Sequence, residues 1–177
     1  MTALESALRQ IGADLARACV AFALVGGLAV SVRTEPRFTR DADLAVALAS
    51  DAQAEALINQ LRAYGYRIEA IVEQSAVGRL ATVRLISSKE AGAPVVDLLF
   101  ASSGIEAEIV AEAEPIELLP GLTMGVARVG HLIALKVLSR DDIARPQDLV
   151  DLRALLGRRA PRGNILRTRV LRPCGRC

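Results

Sequence analysis

Three aspartates stand where a carboxylate needs a chemical reason. Asp41 and Asp43 lie two apart in Thr39-Arg40-Asp41-Ala42-Asp43-Leu44-Ala45-Val46. The alternation of this segment predicts a strand over 41–48, so both side chains leave the same face. Carboxylates crowded in this way repel one another unless a cation lies between them, and magnesium is the usual solution. Taken alone, the pair reads as readily as two solvated aspartates at a strand start, where Asp is common. Asp97 shifts the balance, because it interrupts the apolar run Val95-Val96-Asp97-Leu98-Leu99-Phe100. A charge with no partner in such a run is costly or neutralises itself, so a metal or a polar site is the better reason for it. If the two strands are neighbours, the three carboxylates make a site for two-metal phosphoryl chemistry.

Other residues are candidates for holding an anion. Gly26 and Gly27 sit between a short apolar run and a helical one, in Leu24-Val25-Gly26-Gly27-Leu28-Ala29-Val30. A glycine pair there lets backbone amides approach a phosphate, and the helix start adds partial positive charge. Lys136 lies inside the apolar helical run Leu132 to Leu138, where an unpaired ammonium is disfavoured and a phosphate would satisfy it; the alternative is a lysine that snorkels to solvent. Arg33, Arg37 and Arg40 flank the acidic strand as candidate phosphate or acceptor contacts. Asp148 and Asp151, three apart on a helix, either face the site or form a surface ion-pair set with Arg145 and Arg153. His131 reads as a partly buried helix residue, since nothing near it in sequence pairs with it.

These residues need a framework, and the spacing of apolar residues supplies one. Leu4, Leu8, Ile11, Leu15 and Ala18 form the stripe of an amphipathic helix over 3–20. A strand (21–25), the glycine turn and a helix (28–32) follow, then the acidic strand and a helix over 50–64. Residues 67–72, 80–86 and 95–100 read as strands, the last two joined by a hairpin. Beyond Gly104 come short segments broken by Pro115 and Pro120, then helices over 126–139 and 146–156, with Pro146 suited to a first turn. The expected fold is α/β (α+β), a mixed β-sheet flanked by helices. The expected organisation is a core over 1–104, a helical extension packed on it over 105–157, and a basic, disordered tail over 158–177.

Composition narrows the class. The chain has 177 residues, 52% hydrophobic and 24% charged, which is globular rather than disordered. No apolar stretch is long enough for a membrane span, and the start lacks the features of a secretory signal, so a cytoplasmic location is expected. A net charge of +2 with seven arginines and no acid after residue 157 leaves −5 on residues 1–157. The tail lacks the interleaved aromatics of a single-strand binding arm. Cys174-Gly175-Arg176-Cys177 has a metal-like spacing but lacks the further ligands that a zinc site requires.

The order of glycine pair, Asp-x-Asp on the next strand and a later lone Asp resembles the nucleotidyltransferase superfamily related to DNA polymerase β. The finer strings Arg33 to Asp43, His131 to Arg140 and Arg145 to Arg153 resemble its AbiEii/AbiGii toxin branch, over about residues 20 to 156. The resemblance implies transfer of a nucleoside monophosphate from a nucleoside triphosphate, with Mg2+ or Mn2+ as cofactor. It implies that Asp41, Asp43 and Asp97 are the metal ligands and catalytic carboxylates, Asp97 also a candidate general base, and that Gly26, Gly27, Arg40 and Lys136 hold the nucleotide. It implies a tRNA or protein acceptor and a cognate antitoxin as partner. Two rival readings stay open: a nucleotidyltransferase acting on a small antibiotic, and a nucleotide-binding module without catalysis.

Overall fold

Thr2 starts the first helix by a reciprocal cap. Its hydroxyl accepts from the Glu5 amide at 3.2 Å, and the Glu5 carboxylate accepts from the Thr2 amide at 2.9 Å. The helix that follows, α1 (Ala3–Arg17), buries Leu8, Ile11 and Leu15. The computed structural model describes residues 2–36, 39, 41–74, 78–88, 92–101, 103–139 and 147–157. In chain order the remaining elements are β1 (Phe22–Val25), α2 (Gly26–Arg33), β2 (Ala42–Val46), α3 (Asp51–Ala63), β3 (Tyr66–Gln74), β4 (Arg79–Ser87) and β5 (Val95–Leu99). They continue with α4 (Glu106–Ala111), β6 (Glu114–Leu119), β7 (Leu122–Val126), α5 (Val129–Leu138) and α6 (Gln147–Gly157).

The strands form a seven-stranded mixed sheet in the order β3-β4-β5-β2-β1-β7-β6. β2 runs antiparallel to β1 and parallel to β5, β4 is antiparallel to β5, and β7 is parallel to β1. The expected α/β architecture with a mixed sheet is therefore present. Period-2 alternation decides which side chains enter the core. Leu44, Leu98, Val83 and Leu85 from β2, β5 and β4 are all fully buried. Their sequence neighbours Asp43, Asp97 and Arg84 consequently leave the sheet on its other face.

The segment beyond residue 104 holds the largest difference from expectation. Besides helices, it contributes the antiparallel hairpin β6–β7, which joins the same sheet through β7 and β1. Pro115 hides this strand in the sequence because proline cannot donate to a ladder. β6 is an edge strand, where a missing amide is tolerated. Gly121, with φ at +72°, makes the tight turn between the two strands.

Arg33 locks this hairpin to α2. Its guanidinium donates to the carbonyls of Ala127 at 3.1 Å and Val126 at 3.0 Å, and to Glu114 at 2.6 Å. The candidate role of Arg33 as a phosphate contact is thereby corrected: its side chain, 12% exposed, is spent on holding the fold. Arg33→Met keeps the stem and removes three charged hydrogen bonds. It should lower the free energy of unfolding in urea by about 2 kcal/mol, and Arg33→Lys should recover only part of this, having no planar fork.

Candidate active site

The site is one rung of the sheet. Val25 lies opposite Asp43, Asp43 opposite Asp97, and Asp97 opposite Arg84, so the rung crosses β1, β2, β5 and β4. Because residues paired across neighbouring strands share a face, both carboxylates and the guanidinium emerge together. Asp41 stands two residues before Asp43, just ahead of β2. The two aspartate-bearing strands are immediate neighbours.

The start of α2 abuts the rung. Gly26 has φ at +63°, a conformation that favours glycine, and a Cβ there would run into the carboxylate of Asp43. The Gly27 backbone amide donates to that carboxylate. Burial raises the Asp43 pKa to about 6, with further upward pushes from the negative charges of Asp97 and Asp41; the Gly27 amide and Lys136 pull in the opposite direction. Gly26, Gly27, Asp43 and Lys136 line a common cleft of about 220 Å³, whose other walls include Ser103, Leu132 and Leu135.

Asp97 is only 8% exposed, and both of its oxygens are engaged. Arg84 donates to them through Nε at 2.9 Å and NH2 at 2.8 Å, a two-toothed ion pair. Among the described residues, no three histidine, cysteine or carboxylate groups stand close enough together to hold a metal ion. The expected convergence of all three carboxylates is corrected accordingly: Asp97 shares a face with Asp43 but is bonded toward β4.

Lys136 reaches the cleft from α5, yet its charge is met inside the chain. Nζ donates to Asp148 at 2.6 Å and pairs with Asp151 at 2.9 Å. Both aspartates are buried, Asp148 to 5% and Asp151 to 1% exposed, so the reading of a surface ion-pair set is corrected. The second oxygen of Asp148 is buried and has no hydrogen-bond partner among the described residues. This triad ties α5 to α6 beside the cleft. The three-residue spacing of the two aspartates put them on one helical face, but nothing in the sequence said that this face turns inward. Arg84 was missed altogether, since a charged residue between Val83 and Leu85 looks like an ordinary outward position. Arg37, Arg40 and Arg145 lie outside the described residues, as do the tail and the Cys174/Cys177 pair. His131 is part-buried, with Nε2 3.3 Å from a carboxylate oxygen of Glu108.

Two predictions follow from these charges. Asp43 takes up a proton more readily folded than unfolded, so its contribution to stability is favourable below its unfolded value near 3.8 and is lost as pH rises through about 6. In metal-free buffer at pH 7.5, Asp43→Asn should therefore stabilise the fold by roughly 2 kcal/mol, and urea titrations should show the gain vanishing by pH 4. Lys136→Met leaves two carboxylates buried without their cation and should cost about 3 to 5 kcal/mol. Adding Asp148→Asn and Asp151→Asn should restore most of it, which thermal unfolding of the triple variant would check.

No curated protein matches the sequence significantly. In fold, the chain resembles the lincosamide antibiotic adenylyltransferase LnuA in its lincomycin-bound form, with a TM-score of 0.54 and 16% identity over 86% of this chain and 96% of that one. It resembles ANT(2")-Ia in complex with adenylyl-2"-tobramycin, with a TM-score of 0.56 and 17% identity over 87% and 88% of the two chains. A nucleotidyltransferase-like antigenic protein from Paracoccidioides brasiliensis gives a TM-score of 0.53 at 16% identity, over 86% of this chain and 75% of that one. At such identities the likeness speaks for the nucleotidyltransferase fold alone. The sequence itself matches the family model described as nucleotidyl transferase AbiEii toxin, type IV TA system, over residues 8–173. The glycine turn, the paired aspartates and the lone aspartate on the neighbouring strand thus sit in a member of the AbiEii nucleotidyltransferase family.

Proposed function

We propose that this protein transfers a nucleoside monophosphate from a nucleoside triphosphate to an acceptor hydroxyl or phosphate, using Mg2+ or Mn2+. The observation that carries the reading is the rung: two carboxylates face each other across parallel strands, directly beside a glycine turn that opens a helix. The donor set fits a divalent ion. Hard oxygen ligands are what magnesium takes, and Asp43 stands within electrostatic reach of both Asp97 and Asp41, whose negative charges add to the effect of its burial.

Each residue has a role in this reading. Asp41 and Asp43 would hold a divalent ion beside the triphosphate, and Asp97, on the same face of the neighbouring strand, would add a further ligand and accept the proton of the attacking hydroxyl. The bound ion supplies neutralisation of phosphate charge during the in-line displacement. The Gly26 and Gly27 amides, with the positive end of α2, receive the phosphates. Gly26 cannot carry a side chain here, because a Cβ would take the space of the Asp43 carboxylate. Lys136, on the wall of the same cleft, faces the phosphates while Asp148 and Asp151 fix its position. The protein mainly positions groups and balances charge, which is what phosphoryl chemistry requires.

On the side of biology, the reading is a toxin that modifies tRNA or a protein and is paired with a separately encoded antitoxin, as the family's description suggests. Among the described residues no helix is long and apolar enough to cross a membrane.

The test is direct. Each labelled triphosphate is incubated with Mg2+ and total cellular RNA, total protein, or a panel of hydroxylated antibiotics. Label should enter one macromolecular pool, accompanied by pyrophosphate release. The Asp41→Ala/Asp43→Ala variant should lose at least about 1,000-fold in rate, the scale expected when electrostatic stabilisation of the transition state is removed. Equal labelling by the variant would overturn the assignment, and transfer to an antibiotic alone would replace the toxin reading with a resistance one.

A further inference from the structure

The carboxylates of the rung are partly balanced by a cation that belongs to the chain itself. Arg84 is placed opposite Asp97 by the β4–β5 register, and its guanidinium covers both Asp97 oxygens at 2.9 and 2.8 Å. The charges of Asp41 and Asp43 act on the same guanidinium. We propose that Arg84 is the resident counter-cation of the site, clasping Asp97 until a divalent ion displaces it and thereby setting how tightly the ion binds. This rests on the metal-dependent reading above, and makes Arg84 a positioning residue rather than a catalytic one.

Three features support displacement over a fixed structural pair. A two-toothed guanidinium engages both oxygens of its carboxylate, while magnesium demands near-ideal octahedral geometry at about 2.1 Å. The guanidinium and an ion shared with Asp43 therefore compete for the same carboxylate. The Arg84 side chain is 46% exposed, so it has solvent to swing into. Its strand is held independently of it, because Val83 and Leu85 on either side are fully buried in the core. Release of the arginine thus leaves the fold intact. An ion arriving with a triphosphate brings ligands of its own and displaces the clasp more easily than a free ion.

The test is Mn2+ binding to the full chain without nucleotide, measured by titration calorimetry and by the Mn2+-dependent shift in thermal midpoint. Arg84→Met should bind Mn2+ on the order of 10-fold more tightly than wild type, opposite in sign to the loss seen when a partner that supports a metal ligand is removed, because this partner competes for the ligand. Arg84→Lys, charged but without the fork, should fall between the two. The metal-free midpoint of Arg84→Met should lie below wild type, and Mn2+ should raise it by more than it raises the wild-type midpoint. A purely structural arginine would lower the midpoint equally with and without Mn2+.

Asp43→Asn separates the two levels of the reading. If it weakens Mn2+ binding while Arg84→Met binds as wild type does, the clasp is overturned and the metal site stands. If Asp43→Asn leaves Mn2+ binding unchanged, or wild type and Arg84→Met both take up no Mn2+, the metal reading fails and the clasp falls with it. Should Arg84→Met not fold, the comparison passes to Arg84→Lys, and an affinity for Mn2+ equal to or below that of wild type would overturn the proposal.

Discussion

Two carboxylates facing each other on neighbouring parallel strands are the constraint around which this molecule is arranged. The register that pairs Asp43 with Asp97 is the same one that pairs Leu44 with Leu98 and Ala42 with Val96. The apolar pairs fill the core, and the side-chain period of 2 then leaves the aspartates no choice of face. A slip by one residue would turn the charges into the apolar core and the leucines out of it. Hydrophobic packing on one side of the sheet thus enforces electrostatic crowding on the other.

The surroundings answer that crowding on every side. From β4, Arg84 neutralises Asp97 with a bidentate pair. From α2, the Gly27 amide donates to Asp43, at the positive end of a helix whose first residue has no side chain to obstruct the carboxylate. From α5, Lys136 lowers the cost of the Asp43 charge at longer range while being held by Asp148 and Asp151. Desolvation still dominates, so Asp43 keeps a raised proton affinity. A carboxylate poised in this way among its own kind is a common mark of a functional site.

The far end of the sheet serves the same arrangement mechanically. The β6–β7 hairpin sits beyond β1, and Arg33 bonds the end of α2 to carbonyls at and just after the end of β7. α2 is only eight residues long, too short to be stable by itself, so this tie and its packing on β1 and β2 hold its first turn against the rung. The core that includes Leu24, Leu44, Leu98 and Leu132 lends stiffness to strands that would otherwise be pushed apart by like charges.

The sequence by itself determined the parts whose signal is local. Periodicity marked α1, α3, the strands β1 to β5 and the helices after residue 126, and the glycine pair marked the turn between β1 and α2. The aspartates were legible because Asp97 breaks an apolar run and Asp41 and Asp43 share a strand face. Tertiary structure decided what depends on which elements meet. The β6–β7 hairpin was obscured by Pro115, whose tolerance rests on an edge position that no local pattern reveals. Arg84 looked like a solvent residue until strand register set it against Asp97. Asp148 and Asp151 could equally have faced the site or formed surface ion pairs until the packing of α6 on α5 closed them around Lys136. In each case the residue type was visible in the chain, but its electrostatic partner lay on another element, and only folding brings the two within reach of a hydrogen bond.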